Sequence, residues 1–409
     1  MDSTERPYKL AFIAPACFYY QVPIFRGLAK HKNIDLTVYF CSDEAISGRD
    51  VNLKFNTTAR WGGEQELLKG YHYKTLKNYS PFPSYLRWPY GLINVGIWNE
   101  IRKTKPDAVV LMSWTNPTWW LALAACMVFG IPFMFLTDTN VQRDLANPWW
   151  KSWIKKVILG KFLFKYAGGF LCSGQANKAL YNNYGVPATK LIDFAFSWEL
   201  SEYLAASTDF QSQSQQIRKK LDIPEDTFVT LYCGRLSKEK GTIDLLEAYH
   251  RVSSPKKMLL IVGDGPERKS LEDFVLTNNV RSVRITGFQP RGDVPQFYAM
   301  GDVLVLPSLR EATGAVVNEA MCFGLPVIVS HQVGAGIDLV TDGHNGYRVA
   351  ADVDSLFRSI KQIADLSQAE RLLMGMRSVD IVKKWSNRNL GGSLIEHIES
   401  IRAQRDAVG

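Results

Sequence analysis

Between Asp107 and Asp138 the chain carries no charged residue, a stretch long enough for the roughly 20 apolar residues of a membrane-spanning helix. Four breakers divide it: Asn116, Pro117, Gly130 and Pro132. What remains is a short β-branched run, AVVLMS, a helix-length piece from Thr118 to Phe129, and a second run, PFMFLT. Strand, helix and strand with tight Pro and Gly punctuation read as a βαβ unit of a parallel sheet. Such strands are continuous apolar runs because helices cover both faces. The expectation is therefore a soluble α/β chain and not a membrane span.

The same alternation recurs on both sides. Strand-like runs occur at 9–15, 35–40 and 168–173 in the first half, with helical patterns such as PIFRGLAKH between them. In the second half they occur at 228–234, 258–263, 282–287, 302–308 and 326–330. At 409 residues the chain also exceeds what a single core usually serves. Two series of βα units predict two doubly wound, Rossmann-like domains, over 1–200 and 217–384. The polar segment 201–216 between them reads as a linker, and 385–409 carries a further helical pattern, SLIEHIESIRAQ.

Charge is divided unevenly. Residues 1–200 hold 23 Lys and Arg against 14 Asp and Glu, a net +9, and the remainder is close to neutral. Ten of the eleven Trp also lie in the first half. The segment 147–166, NPWWKSWIKKVILGKFLFKY, mixes Trp149, Trp150 and Trp153 with five lysines and no acid. Cations with interfacial aromatics suit an anionic membrane surface; a core helix with a solvated Lys face is the competing reading. No recognition motif accompanies the charge, so nucleic acid is not an expected partner. The six cysteines are scattered, without CxxC or nearby His, which sets aside a disulfide framework and a metal site and fits a reducing cytoplasm. The apolar run near the N-terminus, Leu10 to Ala14, is too short for a secretion signal.

Three segments of the second half carry chemistry. In FVTLYCGRLSKEKGTIDLL a strand ends at Gly234, and a loop with Arg235, Lys238 and Lys240 opens a helix near Thr242. Cations before a helix N-terminus suit a phosphorylated ligand, although a solvated loop would look similar. In VGDGP, Gly263 and Gly265 allow close backbone approach, but the third Gly of a dinucleotide fingerprint is missing. In LREATGAVVNEAMCFGLP, Glu311 follows a strand, Thr313 and Gly314 turn into a helix, and Glu319 lies along it. Two carboxylates flanking helix amides (Gly314, Ala315) would together hold the sugar, phosphate and ribose of a nucleotide-sugar.

With these motifs in order, residues 225–350 resemble the C-terminal domain of the retaining glycosyltransferases of family 4, which have the GT-B fold. Gly234-Arg235 with Lys240-Gly241, VGDGP, TGF at 286–288, the Glu311-to-Glu319 motif and VTDGHNGYRV carry the likeness. It implies two Rossmann-like domains facing a central cleft, with the C-terminal helix crossing back to a first domain that binds the acceptor. By position, Arg235 and Lys240 would hold the donor diphosphate and Glu311 would contact the donor sugar. Thr313, Gly314, Ala315 and Val316 would supply amides, Glu319 would bind the ribose, and the base would sit near Phe288. The resemblance implies sugar transfer with retention, without metal or cofactor, from a nucleotide-diphosphate sugar as co-substrate. The acceptor would be a saccharide or lipid-linked hydroxyl in cell-surface polysaccharide synthesis, reached from the cytoplasm or peripherally at the inner face of a membrane. The first half departs from the family pattern. Pro15-Ala16-Cys17-Phe18-Tyr19 replaces a Gly-Gly loop, Asp138 stands where many members carry His, and Phe196-Ser197-Trp198 replaces Asn-Gly. A two-lobed binding protein without catalysis is the alternative from another class; it would not need Glu311, Glu319, Arg235 and Lys240 together.

Overall fold

A computed structural model describes residues 6–44, 67–137, 139, 149–194, 200–254, 256–386 and 390–406. The first sheet contains β1 (Tyr8–Ala14), β2 (Ile34–Phe40), β3 (His72–Thr75), β4 (Ala108–Leu111), β5 (Phe133–Leu136), β6 (Gly169–Cys172) and β7 (Leu191–Asp193). All neighbours are parallel, in the order β3-β2-β1-β4-β5-β6-β7. The second sheet contains β8 (Phe228–Cys233), β9 (Lys257–Val262), β10 (Val283–Ile285), β11 (Val303–Leu306), β12 (Val327–Ser330) and β13 (Gly346–Val349). It is parallel too, in the order β10-β9-β8-β11-β12-β13. The uncharged stretch is β4, the helix Pro117–Val128 and β5, and both strands are buried throughout. No helix among the described residues is long and apolar enough to cross a membrane.

Successive side chains of a strand point to opposite faces, and the first domain uses both. Ile13, Val109, Phe135 and Phe170 enter one core with the helix Pro117–Val128, whereas Phe12, Val110, Met134 and Leu171 enter another with the helix Val22–Ala29. The helix Leu390–Asp406 contributes Leu394, Ile395 and Ile398 to this second core. Each such burial is worth about 1.5–3 kcal/mol, and the expected return of the C-terminal helix to the first domain is what the structure has. All six cysteines are free and buried.

The segment expected to be a linker is a correction. Leu200–Lys220 is a continuous helix packed on the second domain. Its inner stripe, Leu200, Tyr203, Ser207, Phe210, Ser214 and Ile217, alternates steps of three and four and is shielded from solvent relative to the outer positions. Two serines within the stripe disguise its periodicity. Arg218 completes the docking, donating to the Asp302 carboxylate at 3.0 Å and to the Thr227 carbonyl at 3.1 Å. The basic aromatic segment is helical from Trp149 to Tyr166, with π-helical turns over Lys156–Leu163. Leu159, Leu163 and Phe164 are core residues, while Trp149 and Trp153 are 81% and 62% exposed.

The C-terminal helix is fastened electrostatically. Asp107, at the start of β4, accepts two bonds from Arg6 at 2.8 and 2.9 Å, one from the Lys9 amide at 2.8 Å, and pairs with Arg402. Burial alone would raise the Asp107 pKa, but these donors hold it below the usual carboxylate value. A depressed carboxylate stabilises the fold above its unfolded pKa of about 3.9, and that contribution is lost as pH falls through the lower folded value. Asp107→Asn is expected to cost about 1–3 kcal/mol at neutral pH. It should accelerate amide exchange in 390–406, and the difference from wild type should begin to shrink as pH falls through the unfolded value of about 3.9 and vanish once it passes the lower folded value. Unchanged exchange in that helix at pH 7 would refute the fastening.

Candidate functional site

In a parallel sheet wound in two directions, adjacent loops diverge where the strand order reverses, leaving a crevice at the carboxyl ends of the strands. In the second sheet that point lies between β8 and β11, and the sequence motifs converge there. After β8, Gly234 and Arg235 lead into a turn over Lys238–Lys240 and then the helix Thr242–Arg251. After β11, Glu311 precedes Gly314 and the helix Ala315–Cys322. Lys240 forms an ion pair with Glu311, both largely buried. Arg235 lies 3.6 Å from Glu239, whose carbonyl accepts the Leu309 amide at 2.8 Å, so the two strand-end loops are stitched together. Ser237 and Ser308, at the same strand ends, bury hydroxyl oxygens that meet no partner among the described residues.

Gly314 has φ +86°, and the carbonyls of Thr313 and Glu311 beside it accept the Ala335 and Gly334 amides at 2.7 and 3.1 Å. This fixes the turn, so Gly314, Ala315 and Val316 sit at the opening of the helix as expected. Glu319 lies farther along it, where the Tyr298 hydroxyl donates to its carboxylate at 2.7 Å. Burial raises the Glu319 pKa above the ordinary value, opposed by the Tyr298 bond and the positive charge of Arg291. Tyr298 escaped the sequence reading because it stands on an apolar helical pattern with no polar signature. Phe288 follows β10 and is half-buried.

Gly263 is closely approached by backbone. At φ +144° it passes so close to the neighbouring loop that a Cβ would lie 1.8 Å from the Gly234 carbonyl oxygen. The missing side chain makes room for protein backbone. Asp138 and the segment Phe196-Ser197-Trp198 lie outside the described residues. The first domain approaches this site through Tyr19, whose ring lies 5.6 Å from the Arg291 guanidinium, and through Gln175, whose amide donates to the Asp338 carboxylate at 3.0 Å.

Residues 213–373 match the family Glycosyl transferases group 1. The chain carries a group 1 glycosyl transferase domain. This group 1 domain includes the loops after β8 and β11. Among curated relatives, the lipopolysaccharide core biosynthesis glycosyltransferase LpsE of Rhizobium meliloti is 37% identical over 158 residues, 38% of this chain and 45% of that protein. The sulfoquinovosyl transferase of Arabidopsis thaliana is 29% identical over 270 residues, 65% of this chain and 51% of that protein. The chain thus spans about half the length of the curated relatives it matches. Anabaena HepE, solved in complex with UDP, superposes with a TM-score of 0.73 over 96% of this chain and 100% of that one, at 16% identity. The architecture is the GT-B fold.

The crowding at Gly263 is directly testable. Gly263→Ala is expected to destabilise the second domain by about 2–4 kcal/mol, because backbone rather than a flexible side chain must yield. Urea unfolding followed by circular dichroism measures this, and a change below about 0.5 kcal/mol would show that the loops can separate freely.

Proposed function

We propose that this protein is a retaining glycosyltransferase that moves a sugar from a nucleotide-diphosphate sugar to a hydroxyl acceptor. The observation that carries the reading is the Lys240–Glu311 ion pair beside Arg235 in the crevice between β8 and β11. In the free protein Glu311 neutralises Lys240. A donor diphosphate supplies the anion in its place, and the released carboxylate can take sugar hydroxyls. As the diphosphate departs, charge grows on its oxygen, and Arg235, Lys240 and the amides of Gly314 and Ala315 stabilise it electrostatically. The acceptor hydroxyl attacks from the face the diphosphate leaves, with no metal or cofactor entering the step. Glu319, oriented by Tyr298, holds the ribose, and the base lies near Phe288.

This division of labour separates the variants. Arg235→Ala or Lys240→Ala should slow single-turnover transfer by roughly a hundredfold or more. Glu319→Gln should chiefly weaken binding of the nucleoside diphosphate, by about 1–3 kcal/mol, whereas Glu311→Gln should lower turnover more than that affinity. Transfer at the wild-type rate by Glu311→Gln, or undiminished diphosphate binding by Glu319→Gln, would remove these assignments.

A lipid-linked acceptor at the cytoplasmic face of an anionic membrane completes the proposal. The exposed Trp149, Trp153 and Ile158 share a helix with the exposed Lys156, Lys161 and Lys165, the pairing that suits an anionic interface. Vesicles containing phosphatidylglycerol should bind wild type at least tenfold more tightly than the Lys156→Glu, Lys161→Glu double variant in co-sedimentation. Equal binding by the two, or none by either, would defeat this part.

A further inference from the structure

Two helices meet across the seam between the domains. The helix Gly334–Leu339 of the second domain starts on the loop that carries Glu311 and Thr313, because its Gly334 and Ala335 amides are the ones bonded to the carbonyls of those residues. Three residues beyond Ala335, less than one helical turn, stands Asp338. Its carboxylate accepts the Gln175 amide of the first domain at 3.0 Å. Gln175 opens the helix Gln175–Asn183, whose N-cap is Gly174. A helix start ordinarily takes its acceptor from the side chain of its own N-cap, and an anion there also meets the positive end of the helix dipole. Gly174 has no side chain, and the acceptor comes from the other domain. The two features belong together: a Cβ on Gly174 would lie 2.4 Å from Asp338 Oδ2, the oxygen that takes the Gln175 amide. The same helix also holds the chain that follows β5. Asn177, a buried residue, donates from Nδ2 to the Thr139 carbonyl at 2.5 Å, and the hydroxyls of Tyr181 and Thr137 share a hydrogen bond at 3.0 Å.

We infer that Asp338 is a positioning residue, a clasp between the domains that sets the spacing of the loop after β11 and the loop after β5. The path is short and made of hydrogen bonds. It runs from the Glu311 and Thr313 carbonyls through less than one turn of helix to Asp338, across to the Gln175 amide, and by way of Asn177 to Thr139. Its other members are backbone groups or a buried side chain, so the half-buried carboxylate is the link that can be released without unfolding either domain. The seam around it is nearly closed. The gap between Ser173 and Ala176 on one side and Gly334 and Ala335 on the other is about 20 Å³, room for about one water molecule. Packing this tight passes a shift of one loop to its neighbour instead of absorbing it. Read with the proposed function, the clasp holds the two sides of the cleft at the separation that transfer needs. That use rests on the proposed function, and the clasp itself does not.

Amide exchange of the full chain, followed by mass spectrometry without ligand, compares wild type with Asp338→Ala, Asp338→Asn, Gly174→Ala and the Gly174→Ala, Asp338→Ala double variant. Asp338→Ala changes the second domain and should accelerate exchange at 175–177 of the first about fivefold. Gly174→Ala changes the first domain and should accelerate exchange at 334–339 of the second by about the same factor. Its backbone is extended, with φ 168°, so Ala fits there and only the carboxylate is pushed aside. Asp338→Asn keeps an acceptor oxygen and loses the charge, so it should fall between wild type and Asp338→Ala. At either segment the double variant should exchange no faster than the faster single one, since both changes remove one contact. Acceleration confined to the domain that carries the change, or full addition in the double variant, overturns the clasp. UDP, GDP and ADP are then titrated into the same samples by calorimetry. A nucleotide that binds wild type should slow exchange at 175–177 by about twofold or more in wild type and leave Asp338→Ala unaffected. Slowing that persists in Asp338→Ala, or is absent from wild type, overturns the positioning role. Binding of none of the three overturns the donor reading alone, and the unliganded variants still decide the clasp.

Discussion

Two reversals of winding govern this molecule. Each sheet grows outward in both directions from an inner pair of strands, β1 with β4 and β8 with β11, and parallel connections cannot cover the gap between loops leaving in opposite directions. The second gap collects Arg235, Lys240 and Glu311, and the first is lined by aromatic side chains such as Phe18, Tyr20 and Trp114. The contrast in chemistry follows from what the loops carry, cations and a carboxylate in one and aromatic rings in the other. Because the C-terminal helix is built into the first domain's core through Leu394, Ile395 and Ile398, the two crevices belong to one chain that is closed on itself.

Much of this was legible from the sequence because fully buried parallel strands announce themselves. β4, β5, β6, β11 and β12 have no exposed position, so they appear as unbroken apolar runs. Three strands were not legible, and all lie at sheet edges. β3, His72-Tyr73-Lys74-Thr75, is exposed at each residue; β7 and β13 are three and four residues long and only partly covered. An edge strand is specified by its neighbour's free hydrogen-bonding groups more than by its own side chains, so no pattern marks it. The helix Leu200–Lys220 was hidden for a related reason. Small serines suffice where it lies close against the second domain, and composition then resembles that of a linker.

The candidate site divides in the same way. Charged residues at strand ends stood out, and the structure adds the ion pair between Lys240 and Glu311, which the sequence alone did not suggest. What sequence could not supply was the set of neutral partners: Tyr298 on Glu319, and the loop carbonyl of Glu239 joining two motifs. Such groups lie on ordinary apolar or loop patterns and acquire meaning only from what they face. The glycine pattern marked a close backbone approach at Gly263, and the structure adds that the carbonyl of Gly234 is what a side chain there would meet.

The six buried thiols give the protein a chemical silence with a definite domain structure. Burial pushes Cys126 and Cys172 in the first sheet's domain, and Cys233 and Cys322 in the second, up to about 12. Thiolate is the nucleophile in alkylation and oxidation, so the folded chain offers almost none at neutral pH. Any modification by peroxide or an alkylating reagent must therefore pass through an opened state, and the position modified records which half of the molecule had opened.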